Sequence, residues 1–242
     1  MSHRILLFFL LVILLTGLRG APARPVPGDA YAIQYRLDVR QQHLKMYWKD
    51  NEGRVFRSLS NLKNGLEGQG ETLVFAMNGG MYTPNHSPQG LFIEEGKTMA
   101  PLDTLSGDGN FYLKPNGVFF TTQDNAAGIC RTEDFPHQQN IRYATQSGPM
   151  LLIGGQIHPA FRKGSSHLNI RNGVGILPDG RVLLAMSRAE TNLYDFARFF
   201  KDQGCQEALY LDGFVSRVYL PEQNCFQLDG NFGVILGVTK PQ

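Results

Sequence analysis

The sequence predicts an α+β fold: a single β-rich domain of short hairpins, with a few helices packed on the sheet. Three observations lead there. The chain has 242 residues, 42% hydrophobic and 18% charged, enough to enclose one full core. Its apolar runs are short and stop at Glu-Gly, Asn-Gly or Asp-Gly pairs, which favour tight turns. Only two segments carry helical spacing, and no Pro/Ser-rich linker divides the chain after its first residues.

Residues 1–23 read as a secretory signal peptide. His3 and Arg4 precede an apolar run from Ile5 to Leu15, and Ala21-Pro22-Ala23 offers an imperfect cleavage site. An uncleaved anchor is the alternative, although the run is short for a permanent span. The expected locations are the periplasm, for a Gram-negative source, or the medium. The remaining domain is 24–242.

Further along, "YAIQYRLDV" (31–39) and "HLKMYWK" (43–49) alternate and predict a hairpin. A helix is expected over 58–67. "LVFAMNGG" (73–80) is continuously apolar, as a strand buried on both faces would be. Glu95-Gly96, Pro115-Asn116-Gly117 and Pro178-Asp179-Gly180 mark hairpin turns. In "ETNLYDFARFFKDQGC", Leu193, Phe196, Ala197 and Phe200 form one stripe, with Thr191 or Asn192 as N-cap and Gly204 beyond the last turn.

Several chemistries are excluded. With Arg4 and Arg19 removed, Lys and Arg equal the 21 acids, and no basic stripe suggests nucleic acid. There is no G-x-S-x-G, H-E-x-x-H, P-loop or G-x-G-x-x-G motif. His86, His137, His158 and His167 lie in polar stretches and read as surface residues. Cys130, Cys205 and Cys225 lack metal-ligand spacing; a Cys205–Cys225 disulfide and three free thiols are equally compatible with the sequence.

"EALYLDGFVSR" (207–217) ends an apolar run at Asp212-Gly213. Burying a carboxylate is costly, so Asp212 is either exposed or held for a purpose. Three other runs begin or end on polar residues: Asn78-Gly79-Gly80, Ser147-Gly148-Pro149 and Arg171-Asn172. Each alone is an ordinary turn or surface group. Together they place an amide, a hydroxyl, a guanidinium and a carboxylate at strand ends, where scaffolds present sites.

In order and spacing, "AMNGGMY" (76–82), "SGPML" (147–151), "RNGVGIL" (171–177) and "YLDGFVS" (210–216) resemble the phosphodiester glycosidase family, and "GNFYLKPNGVFF" resembles its bacterial exported branch. The resemblance implies hydrolysis of a sugar-1-phosphodiester at its glycosidic bond. Two departures stand out: Phe214 occupies a position where the family often has a second Gly, and Asn172 follows Arg171 where small residues are common.

The implied leaving group is a stable phosphate anion, which calls for charge stabilisation more than a general acid; Arg171 suits that. Asp212 would serve as nucleophile or base, facing Arg171 in a compensating pair. Asn78, Ser147, Asn172 and Ser216, with the N–H groups of Gly79, Gly80, Gly148 and Gly213, would bind substrate. The alternative is a non-catalytic binder of envelope glycans or phosphodiester polymers, with Phe214 as a stacking surface. A weaker option is a Ser147 or Ser216 nucleophile, for which no motif supplies a His. No cofactor is evident. A divalent cation is left open, with no readable ligand set.

Overall fold

A computed structural model describes residues 30–135 and 140–242. The first strands are β1 (Ala32–Leu37), β2 (Leu44–Tyr47), β3 (Glu71–Asn78), β4 (Phe92–Glu94) and β5 (Lys97–Ala100). Next come β6 (Gly117–Thr122), β7 (Ala127–Arg131), β8 (Ile141–Ser147), β9 (Met150–Ile153) and β10 (Gln156–Ile157). The last are β11 (Asn172–Ile176), β12 (Val182–Ser187), β13 (Ala208–Tyr210), β14 (Val218–Leu220), β15 (Cys225–Phe226) and β16 (Ile235–Pro241). Helix α1 (Leu59–Glu67) precedes β3, and α2 (Leu193–Asp202) precedes β13.

The strands form three antiparallel sheets, ordered β1-β12-β11-β13-β9-β10, β15-β14-β3-β16-β2 and β5-β4-β8-β6-β7. The domain is β-rich, as expected. One core lies among the three sheets, with Tyr35, Leu184 and Leu209 from the first, Phe75 and Leu236 from the second, and Phe119 and Tyr143 from the third. Tyr35 stacks on Phe75 with ring centroids 4.6 Å apart.

Alternation divides the strand residues between that core and the outer faces. In β12, Val182, Leu184 and Met186 enter the central core while Leu183 and Ala185 pack under α2. Covered on both sides, the strand has no need of polar residues, and the same holds for the inner half of β3. Helix α2 lays Phe196, Ala197, Phe199 and Phe200 on the first sheet. Gly175 makes this approach possible, because a Cβ there would stand 2.7 Å from the Phe200 ring. Asn192 is the N-cap, accepting the Asp195 N–H, and Gly204 follows the helix at φ 87°. Ser58 caps α1, whose Leu59, Leu62 and Leu66 cover the second sheet.

The turns at Glu95-Gly96 and Asp179-Gly180 join β4 to β5 and β11 to β12 as expected. Three other expectations are corrected. The 31–39 and 43–49 segments do not pair: β1 lies against β12 and β2 against β16, in different sheets. Between them the Asp38 carbonyl accepts the N–H groups of both Gln41 and Gln42, a helical turn that redirects the chain and keeps both apolar faces on the same core. Pro115-Asn116-Gly117 is not a hairpin turn either. The preceding Asn110–Tyr112 forms a 3-10 turn, and the buried Asn116 amide donates to the Phe111 carbonyl.

The histidines are the third correction, since His86 and His158 are buried, while His167 is exposed. His86 stacks on Tyr82 and His158 on Phe161. His137 and residues 1–23 lie outside the described residues. All three cysteines are free thiols. Cys205 is buried under α2, and burial pushes its thiol up to about 12; Cys225 sits in the second sheet with its Sγ on the Val218 carbonyl. Among the described residues no helix is long and apolar enough to cross a membrane.

Candidate active site

Strand ends from all three sheets meet around the loop 211–217. Asn78 closes β3 in the second sheet, Ser147 closes β8 in the third, and Asn172 opens β11 beside the end of β13 in the first. Their side chains hold the backbone of that loop. Ser147 Oγ donates to the Leu211 carbonyl (2.6 Å), and Asn172 Oδ1 accepts the Asp212 N–H (2.9 Å). Asn78 Nδ2 donates to the Asp212 carbonyl (2.8 Å), while its Oδ1 accepts the Arg217 N–H (2.9 Å). The other end of Asn172 donates to the Asn78 carbonyl (2.9 Å), which ties the first sheet to the second. Ser216 Oγ turns back to the Gly213 carbonyl (2.9 Å). Asn78, Ser147, Asn172 and Ser216 are all buried, so these bonds replace water.

The glycines are engaged as well. Gly79 donates its N–H to the Val234 carbonyl (2.8 Å), and Gly80 and Gly148 lie against the backbone of Gln146 and Phe111, with no room for a Cβ. Gly213 gives its N–H to the Tyr210 hydroxyl (2.8 Å). A Cβ at Gly213 would come within 2.7 Å of the Ile170 carbonyl.

Asp212 itself retains some contact with solvent, between buried Leu211 and Gly213. Desolvation raises its carboxyl from 3.8 to about 6, opposed by the Phe214 N–H. It forms no ion pair with Arg171, contrary to expectation. The Arg171 guanidinium is spread over the Thr191 carbonyl (3.1 Å), the Tyr210 hydroxyl (3.1 Å) and the His167 carbonyl (3.0 Å). Those bonds use three of its five N–H groups and leave two for a ligand.

Tyr210 links the two groups, since its oxygen accepts from both Arg171 and Gly213. Burial raises the Tyr210 phenol, with the Arg171 charge lowering it and the Asp212 charge raising it. The Tyr82 phenol is raised by burial and then by the Asp212 charge. Phe214, two residues past the carboxylate, is 88% exposed.

Arg171 also lines a cleft of about 760 Å³ between the Pro159–Asn169 strap and the start of α2. A second cavity, about 560 Å³, lies on the other side of that strap among Pro115, Ile153, Ile157 and Pro159.

Residues 71–231 match the family model described as phosphodiester glycosidase. The chain belongs to the phosphodiester glycosidase family. The uncharacterized protein YigE of Escherichia coli (strain K12) is 38% identical over 187 residues, covering 77% of this chain and 73% of that one. The zebrafish N-acetylglucosamine-1-phosphodiester alpha-N-acetylglucosaminidase catalytic domain, auto-inhibited by its pro-peptide, superposes with a TM-score of 0.63 at 16% identity, over 86% of this chain and 76% of that one. A hypothetical protein from Synechocystis gives 0.51 at 13% identity, over 86% and 59%. At these identities the two structures establish a shared fold.

All four segments that carry the resemblance fall inside the matched range, and the phosphodiester glycosidase fold brings their polar ends together. Tyr210 is absent from the sequence-based set, although its position two residues before Asp212 puts both on one side of an extended chain. Tyr82 stands in the quoted "AMNGGMY" without being singled out. Arg162 and Lys163, on the strap, carry no motif at all. Among the described residues, no three His, Cys, Asp or Glu side chains gather to hold a metal ion, so the open divalent cation has no ligand set there.

Proposed function

We propose that this phosphodiester glycosidase hydrolyses the bond between a sugar's anomeric carbon and a phosphodiester oxygen, with Asp212 as the reacting carboxylate. The observation that carries the reading is the combination at Asp212. Its backbone is fixed by side chains from three sheets, while its carboxylate is partly desolvated and left without a cation. A structural carboxylate would be paired; an unpaired one costs stability and is kept where it reacts.

As the carbon–oxygen bond breaks, its electron pair leaves with the phosphate. The two remaining N–H groups of Arg171 meet the charge that develops there. Asp212 attacks the anomeric carbon or takes the proton from the attacking water. In either role it must be ionised. Asn78, Ser147, Asn172 and Tyr210 are positioning residues that hold Asp212, and the exposed Phe214 ring offers the sugar a stacking face. The zebrafish enzyme's name supports an amino-sugar phosphodiester as the first substrate to try.

A second reading, a non-catalytic binder of envelope glycans, draws on the same exposed Phe214. We place the protein outside the cytoplasm, supported by the signal-like residues 1–23 and by a Burkholderia pseudomallei K96243 structural relative named as a candidate exported protein (TM-score 0.57, 10% identity, over 85% of this chain and 73% of that one).

The test is release of free sugar from N-acetylglucosamine-1-phospho-sugar by wild type and Asp212→Asn. We expect turnover by wild type, rising with pH through about 6, and a loss of about 10³-fold or more in the variant. Equal turnover by the two proteins removes Asp212 from the mechanism. Sugar binding without release by either favours the binder.

A further inference from the structure

The cleft beside Arg171 differs from the rest of the protein in charge. Without residues 1–23, cations and anions balance across the chain. The cleft is lined by Arg162, Lys163, Arg171 and His167, together with Ser165 and Ser166, and by no Asp or Glu. Among the described residues neither Arg162 nor Lys163 has an acidic partner, whereas nine other Lys and Arg side chains form ion pairs. Both side chains are exposed. The cavity across the strap behaves differently: there Arg131 pairs with Glu133, and Lys114 donates to the Thr104 carbonyl.

Position adds to charge. Arg171 lines the cleft, one hydrogen bond from Tyr210 and two from Gly213, and Ile170, just past the strap, lies against Gly213. A substrate whose phosphate is at Arg171 has Arg162 and Lys163 on the walls of the same cleft. One phosphate fills a small part of about 760 Å³ and satisfies one of the three permanent cations. Uncompensated like charges facing one space repel each other, and a second anion on the ligand relieves that.

We infer that the strap carrying Arg162 and Lys163 is a subsite for a second anionic group on the aglycone, so that the preferred substrate carries at least two negative charges beyond the sugar. This rests on the glycosidase reading for the identity of the first anion. A diphosphate and a repeating phosphodiester share the required chemistry.

The experiment uses the mature protein and Arg162→Ser/Lys163→Ser, at constant ionic strength. Calorimetric binding of inorganic pyrophosphate and orthophosphate comes first. Wild type is expected to bind pyrophosphate about tenfold or more tightly than orthophosphate, and the double variant to lose that preference while keeping its orthophosphate affinity. Turnover is then compared for three substrates: a sugar-1-phosphate methyl ester, a diphosphate-linked sugar, and a sugar carrying two phosphodiesters separated by one residue. A kcat/KM advantage for either doubly charged substrate, lost in the double variant, supports the subsite, and whichever is preferred identifies its source. No pyrophosphate preference in wild type, or one that survives both substitutions, overturns it. Turnover of the methyl ester without any preference removes the subsite and keeps the glycosidase; a pyrophosphate preference lost with the two cations, but no sugar release, keeps the subsite and removes the glycosidase.

Discussion

Between Leu211 and Arg217 the chain is held by Ser147, Asn172 and Asn78, each reaching in from elsewhere in the sequence, and by the adjacent Tyr210. Between Pro159 and Asn169 it is held mostly by its own short turns: Ser165 N–H to the Arg162 carbonyl, Leu168 N–H to the Ser166 carbonyl, His167 N–H to Ser165 Oγ. Near its end it is anchored from outside, by Arg171 on the His167 carbonyl and by the Asn169–Thr191 bridge. The first loop carries the proposed reacting carboxylate and the second the unpaired cations. Bond making needs positions fixed to a fraction of an ångström, whereas long-range attraction of an anion tolerates freedom in the side chains that supply it. The difference in how the two loops are held therefore separates them by job, and substitutions in each should fail in different ways.

The largest contrast is expected from Asn172→Ala set against Arg162→Ser. Removing the Asn172 amide strips partners from the buried Asn78 carbonyl and the Asp212 N–H at once. Each orphaned group costs about 1–2 kcal/mol, so urea denaturation should show a loss of about 2–4 kcal/mol, with turnover falling further because Asp212 is no longer placed. Arg162→Ser, on an exposed side chain without an acidic partner, should stay within about 0.5 kcal/mol. Similar losses in both would mean that the strap is as integral to the fold as the loop.

Asp212→Asn sharpens the comparison by changing the loop's charge without its anchors, all of which go to backbone atoms. The folded carboxyl titrates near 6 and the unfolded one near 3.8. A raised folded value means stability that is complete below about pH 3.8 and lost as pH rises through about 6, the cost of keeping the charge desolvated. The amide has no charge to desolvate. The variant should therefore be more stable than wild type by about 2–3 kcal/mol near pH 8, with the gain fading to nothing near pH 4. A gain that is flat with pH would mean that desolvation is not what raises Asp212.

Much of the loop was legible before the fold, and the reason is chemical. An apolar run that stops at a carboxylate announces an unusual cost, and glycine-flanked Asn, Ser and Arg at other strand ends supply the company. The sequence also announces both helices and the buried β3, because periodicity and caps are local. Direction is not local. Nothing in the residues 31–49 says that one strand leaves for another sheet, nor that Asn78 and Asn172 would turn their amides onto backbone. The Arg171–Asp212 pair was expected from opposite charge; in the fold the guanidinium is taken by the Tyr210 hydroxyl and the carbonyls of His167 and Thr191. The strap is the least legible region, because Arg162 and Lys163 acquire meaning only through the acids that are absent around them.

Phe214→Ala should produce the smallest change in stability and for that reason separates folding from recognition most cleanly. The ring is 88% exposed, so its removal forfeits almost no buried area, and the denaturation midpoint should move by less than about 0.5 kcal/mol. The Asp212 carboxylate keeps the Phe214 N–H that it accepts, because the backbone is untouched. If the ring stacks on the sugar, KM should rise several-fold with kcat nearly unchanged, the signature of binding shared equally by ground state and transition state. If kcat falls instead, the ring shapes the reacting geometry and belongs with the fixed loop. If neither changes, Phe214 is a bystander with no part in choosing the sugar.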